Sequence, residues 1–278
     1  MIIEGTPEDV LAGRAHWALV LGDGDAYLES LADGAVDHVI TDPEYNERTH
    51  KGAICGTAQP DGGQRTIRDG GPMGGSRGRK SRKAVLGVNF KALEEAKAPG
   101  LAGQFVRVAK RSALVFCAFE QMWLYESGAP KAWIRSGIWD KVAPSPQLTG
   151  DRPGQGGEGI AILHRPGRKR WNGGGKAAMW RCLAPKGSAR PDHPTPKPVK
   201  LLIDLVNDFT DSGEVVLDVR AGSCSTGIAC LRRGRRFIGF ENNAERYQEG
   251  LALMRGEVGM LSVKDLRRGQ LSLLAGAQ

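Results

Sequence analysis

Residues 215–241 constrain the fold of this chain more than any other stretch. The apolar run Val215-Val216-Leu217-Asp218 leads straight into Val219-Arg220-Ala221-Gly222-Ser223-Cys224-Ser225-Thr226-Gly227, and helical spacing follows through Ile228–Leu231. A strand, a turn of small residues and a helix in succession form the opening unit of a doubly wound α/β sheet. In such a turn main-chain amides can approach a ligand, because few side chains stand in the way. A second strand, Arg236–Phe240, ends on Glu241, nineteen residues after Gly222. An acid at a strand end can accept both hydroxyls of a ribose, so loop and acid together point to an adenosine-containing ligand. They do not separate a nicotinamide cofactor from other adenosine compounds.

The rest of the chain continues the alternation. Residues 18–45 read as element–turn–element: a short helix around Tyr27–Leu31, a stop at Ala32-Asp33-Gly34, then a strand over Val36–Ile40 ending at Thr41-Asp42-Pro43. Helical spacing returns over Phe90–Val108, followed by strands at Ala113–Cys117 and Ile160–Leu163 and a basic turn at Arg168–Gly175. After His193-Pro194-Thr195-Pro196 comes a helix carrying Val199, Leu202, Ile203, Leu205 and Val206. Strands alternating with helices predict an α/β fold, a twisted, mostly parallel sheet with helices on both faces, in one domain over residues 1–278.

No apolar run approaches the ~20 residues that span a bilayer. The first residues, MIIEGTPEDV, lack the basic start of a secretory signal. The five cysteines are scattered, with no C-x-x-C pair, so neither a disulfide framework nor a metal site is indicated. These features predict a cytoplasmic protein with no membrane partner.

The formal net charge is +8, and its distribution matters more than its sum. Between Asn46 and Phe90 nine Lys/Arg face three acids, and between Arg165 and Arg190 eight Lys/Arg face none. Cationic stretches of this kind favour a polyanion through counterion release without reading its sequence. The inserts at about 46–90 and 141–190 are therefore expected on the side that meets such a polyanion, which the resemblance given below makes DNA. The first is too long for an ordinary connection and marks a functional loop. Within it, Arg77-Gly78-Arg79-Lys80-Ser81-Arg82-Lys83 suits phosphate contacts, which position a protein without specifying bases.

The tetrapeptide Asp42-Pro43-Glu44-Tyr45 closes an apolar strand, where open α/β sheets hold their ligands. The exocyclic amino group of a base is a poor nucleophile, because its lone pair is delocalised into the ring. A carboxylate (Asp42) and a main-chain carbonyl (Pro43) are both acceptors, as a group with two N–H donors requires. Tyr45 can stack on a base, a contact worth roughly 1–3 kcal/mol. Such a base must first leave the duplex, since its amino group is otherwise paired.

Taken together, Gly24-Asp25-Ala26, Leu28, Leu31, Asp33-Gly34, Val36-Asp37 and Thr41–Tyr45 resemble the catalytic region of DNA amino-methyltransferases. His193-Pro194-Thr195-Pro196-Lys197-Pro198, Asp218–Thr226 and Phe240-Glu241 resemble that family's cofactor region. The catalytic segment comes first, as in the family's β-type order, and Gln147–Gly159 with Arg168–Gly175 resembles phage-type adenine methyltransferases. The resemblance covers about three quarters of the chain.

It implies a Rossmann-like methyltransferase fold, S-adenosylmethionine as cofactor, and methyl transfer to adenine N6 in DNA; the phosphate contacts expected of Arg77–Lys83 add weak or relaxed sequence specificity. A homodimer, as in many relatives, and a bacterial or phage-encoded origin are further implications. Asp42, Pro43 and Tyr45 would carry catalysis; Asp25, Lys197, Asp218, Ala221, Gly222, Ser223 and Glu241 would contact the cofactor. His193, just ahead of a helix, reads as structural rather than as a ligand.

The chain departs from the family in three places. Glu44 replaces a second proline, which frees the backbone torsion and adds a negative charge. Arg220 replaces an aromatic ring and is expected to oppose a sulfonium. Cys224 replaces a glycine, and costs about 1–2 kcal/mol if that position requires positive φ. Three competing readings follow: a catalytically impaired DNA- or cofactor-binding protein, an enzyme acting on cytosine N4, and a nicotinamide-dependent oxidoreductase. The last leaves Asp42–Tyr45 and the basic inserts unexplained.

Overall fold

The computed structural model describes residues 2–43, 95–144, 153–184 and 196–275. Glu44, Tyr45, His193 and the whole of the first basic insert lie outside the described residues. The strands are β1 (Trp17–Leu21), β2 (His38–Thr41), β3 (Ser112–Cys117), β4 (Trp133–Asp140), β5 (Gly157–His164), β6 (Met179–Arg181), β7 (Val215–Asp218) and β8 (Arg236–Glu241). They form one sheet in the order β1-β8-β7-β2-β3-β5-β4-β6. The five strands from β1 to β3 are mutually parallel, β5 runs against them, and β4 and β6 return to their direction.

Strand side chains alternate between two cores. Ala113, Val115 and Cys117 of β3 join the first cluster, while Leu114 and Phe116 join the second. On the first face lie α1 (Pro7–Leu11), α2 (Gly24–Ser30), α3 (Ala98–Val108) and α4 (Met122–Gly128). On the other lie α5 (Val199–Phe209), α6 (Ser225–Arg232) and α7 (Ala244–Ala275). In α5, Leu201, Leu202, Leu205, Val206 and Phe209 form one buried stripe at helical spacing. Each fully buried side chain of this size contributes about 1.5–3 kcal/mol. The sheet with helices on both faces agrees with the sequence reading. Among the described residues no helix is long and apolar enough to cross a membrane.

β2 and β7 are neighbours at the centre, with Val39 beside Leu217, and the Asp37 carboxylate accepts the Val215 N–H at 2.9 Å. This pairing brings the C-terminal ends of β2, β7 and β8 together on one edge. β5 is antiparallel, so the connection from β5 to β6 lies at the opposite edge. The basic stretch 165–178 is part of that connection, and it does not share the edge with Asp42. Several of its cations are also engaged there. Arg170 pairs with Asp211 at 2.5 Å, Lys176 pairs with Asp208 at 2.7 Å, and Asn172 donates to Thr210 O at 3.0 Å. The end of β4 and residues 182–184 after β6 do reach the Asp42 edge, so the described parts of the insert 141–190 are divided between two edges.

Candidate active site

The loop after β7 follows from its small residues. Gly222 adopts φ +50° and Cys224 φ +58°, so two of the three residues before α6 are in the left-handed region. The Ala221 N–H donates to Phe240 O at 2.8 Å, and the Cys224 N–H to Ala221 O at 2.7 Å. Cys224 is left-handed at the position where the sequence comparison raised that requirement, and it carries the cost of a side chain there. Its thiol is fully buried, and burial holds its pKa well above the usual cysteine value.

Two acids anchor the loop. Asp218 is buried, and its Oδ1 accepts from the Thr41 hydroxyl at 2.9 Å and the Arg220 N–H at 3.0 Å. Burial pushes this carboxyl up to about 6, against the pull of its hydrogen bonds from Thr226, Arg220 and Thr41. Its described contacts are with the loop and β2, bracing both. Glu241 ends β8 and accepts the Gly222 N–H on Oε2 and the Asn243 N–H on Oε1, each at 2.9 Å. Each carboxylate oxygen has a further lone pair, so both can also take a ribose hydroxyl. Ala221 and Ser223 are buried in the same turn.

Asp42 and Pro43 follow β2 directly, one strand from this loop. Lys197, just ahead of α5, ion-pairs with Asp42 Oδ2 and lies 3.3 Å from Glu158 Oε2. Lys141 Nζ meets Glu158 Oε1 at 2.7 Å, and the Lys197 ammonium sits 5.1 Å from the Phe116 ring centroid. The result is a row of alternating charges, Lys141, Glu158, Lys197 and Asp42, drawn from four segments of the chain. Burial alone would lower the Lys197 pKa; the carboxylates of Asp42 and Glu158 outweigh it and hold the ammonium above its usual range. Beside this row, burial raises the Cys117 thiol to about 12, which keeps it protonated.

Asp25 lies at the start of α2, over the same edge. Its Oδ2 pairs with Arg220 Nη2 at 2.7 Å, while its Oδ1 is sealed from solvent with no hydrogen-bond partner among the described residues. A shielded acceptor, a strand-terminal acid and an open main-chain turn fit a ligand with ribose hydroxyls and an ammonium donor. S-adenosylmethionine has both.

Of the residues expected from sequence, Asp42, Pro43, Asp25, Lys197, Asp218, Ala221, Gly222, Ser223 and Glu241 converge on this edge, while Tyr45 lies outside the described residues. Sequence reasoning missed Glu158 and Lys141. The one available signal was a lone acid among glycines, immediately before the apolar run Ile160–Leu163.

Fold and edge together describe a doubly wound α/β protein in which the loop after β7 and the acid ending β8 lie beside the carboxylate and carbonyl that follow β2. Residues 167–252 match the N6/N4 methyltransferase family model, described as DNA methylase. Over 60 residues, 22% of this chain, the sequence is 43% identical to the DNA adenine methyltransferase YhdJ of Escherichia coli (strain K12). The aligned stretches span less than a third of the curated relatives they match.

The crystal structure of the M1.HpyAVI–SAM complex shares the fold, with a TM-score of 0.57 at 17% identity, over 86% of this chain and 99% of that one. The cytosine-N4-specific PvuII DNA methyltransferase does so with a TM-score of 0.58 at 13% identity, over 85% of this chain and 86% of that one. The resemblance to DNA amino-methyltransferases is thus borne out. The fold is the Rossmann-like α/β fold of S-adenosylmethionine-dependent methyltransferases.

Proposed function

We propose that this chain is an S-adenosylmethionine-dependent DNA amino-methyltransferase whose target is adenine N6. The observation that carries the reading is the adjacency of β2 and β7. It sets the acceptors Asp42 and Pro43 beside the loop that Asp218 and Glu241 anchor. When bound, the cofactor supplies an electrophilic methyl group on a sulfonium. Asp42 and the Pro43 carbonyl accept the two N–H bonds of a flipped base and orient the amino nitrogen for attack. Lys197 holds one Asp42 oxygen, and Glu158 holds Lys197. Glu241 fixes the ribose and Tyr45 stacks on the base. Asp at the first position of the catalytic motif, together with the similarity to YhdJ, supports adenine. Cytosine N4 offers the same two N–H donors, and the test includes it.

Incubation with unmethylated plasmid DNA and cofactor labelled in the methyl group, followed by digestion to nucleosides, should place the label in N6-methyladenine. Label in N4-methylcytosine would move the target. Unlabelled DNA, despite measurable cofactor binding, would overturn the enzymatic reading. Asp42→Ala should abolish incorporation and leave cofactor affinity within a few-fold of wild type.

A further inference from the structure

On the edge opposite Asp42, the starts of β3 and β4 and the end of β5 border a cavity of about 370 Å³. That volume falls within the range of about 300–1,000 Å³ typical of small-molecule sites. Two acceptors lie side by side in its floor, because Ser112 and His164 are paired across β3 and β5 and both are buried. His164 Nδ1 donates to Arg165 O at 2.7 Å, which fixes the proton on that nitrogen. Burial holds the imidazole pKa below its ordinary value, so Nε2 carries a bare lone pair. Nε2 is shielded and has no hydrogen-bond partner among the described residues, a state that is unfavourable until a donor arrives. Glu214 Oε2 accepts from His38 Nε2 at 2.8 Å, which leaves His38 Nδ1 to take the Ser112 hydroxyl at 2.7 Å. Ser112 Oγ therefore keeps its lone pairs for a second donor.

The walls are apolar and aromatic. Trp171 stands edge-on to Phe209 with ring centroids 4.9 Å apart, and its Nε1 donates to Gly174 O at 2.7 Å, so the indole is fixed before any ligand arrives. Ile134 and Ile162 complete the apolar lining. At the mouth, Arg135 and Lys169 are exposed and have no acidic partner among the described residues. Arg170 and Lys176 also line the cavity, but Asp211 and Asp208 already balance them. Adjacent acceptors, aromatic walls and two unmatched cations complement a base with neighbouring N–H donors that carries a phosphate.

We propose that this cavity is a second ligand site, for a free nucleoside monophosphate whose base presents two adjacent N–H groups. The base lies against Trp171 with its donors on His164 and Ser112, and Arg135 and Lys169 hold the phosphate. The site is separate from the Asp42 edge and does not depend on the cofactor reading.

Guanosine 5′-monophosphate is the probe, because guanine offers N1–H beside its 2-amino group. Inosine 5′-monophosphate lacks that amino group, and guanosine lacks the phosphate. In calorimetry on the full chain, S-adenosylhomocysteine is kept present to occupy the Asp42 edge. Guanosine monophosphate should then bind about tenfold or more tightly than either comparison ligand. Arg135→Ala with Lys169→Ala, both exposed positions, should weaken the monophosphate about tenfold and leave guanosine binding unchanged. His164→Phe keeps a flat ring without the acceptor and should weaken both about tenfold. A wild-type chain that does not bind guanosine monophosphate, or binding that neither variant alters, would overturn the proposal. Equal affinity for the guanosine and inosine monophosphates would overturn it as well.

Discussion

Glu241 offers the sharpest test of how the cofactor edge is built, because its carboxylate acts on the loop and on the ligand at once. The side chain is 6% exposed and accepts the main-chain N–H groups of Gly222 and Asn243, each at 2.9 Å. A hydrogen bond to a charged acceptor contributes about 1.5–3 kcal/mol, so Glu241→Ala removes about 3–6 kcal/mol before water refills the gap. At about 2–4 °C per kcal/mol in a domain of this size, the melting temperature should drop by about 6 °C or more. The ribose hydroxyls lose their acceptor in the same step. Calorimetry should therefore show S-adenosylmethionine binding about tenfold to a hundredfold more weakly. Glu241→Gln keeps one acceptor oxygen but turns an NH2 group toward the other N–H, and should lie between wild type and alanine on both scales. A Glu241→Ala chain with unchanged melting temperature and unchanged dissociation constant would mean that this carboxylate neither anchors the loop nor meets the ribose.

Two further outcomes follow from charge and placement. Asp218 has a folded pKa of about 6 against an ordinary 3.8, so the native state holds its proton more tightly than the unfolded chain. The stability linked to that proton is fully present below pH 3.8 and is lost as pH rises toward 6. Relative to Asp218→Asn, wild type should lose about 3 kcal/mol over that window in denaturant titrations, and a constant gap would contradict the burial argument. Neutralising Arg77, Arg79, Lys80, Arg82 and Lys83 should weaken DNA binding and flatten its salt dependence, each lost phosphate contact lowering the slope by about 0.9. Arg168→Ala with Lys169→Ala, on the edge opposite Asp42, should leave that slope as in wild type; an equal flattening would place DNA on both edges.

The elements near the cofactor were legible because their causes are local. The run Val215–Asp218, the small residues after it and Glu241 at the next strand end are set by spacing within a few tens of residues, and each appears where the pattern placed it. The positive φ at Cys224 was likewise a local demand of the turn. β1, β4 and β6 were not recognised as strands. β4 exposes most of its first half, so it lacks the apolar run that marked β3 and β5, and β6 is three residues long.

The sequence by itself determined the strands β2, β3, β5, β7 and β8, where the turn after β7 falls, and that Asp42 closes a strand. Those outcomes depend on side-chain periodicity and on turn chemistry between near neighbours. Only the tertiary structure decided how charges are matched. Lys197 meets Asp42 across 155 residues of chain, and Arg220 meets Asp25 across 195. Nothing in the local pattern of either residue names its partner, because these ion pairs are set by strand order and helix placement. Strand direction was decided there too. The reversal of β5 carries the basic stretch 165–178 away from the Asp42 edge, since an apolar strand of period two reads the same in either direction.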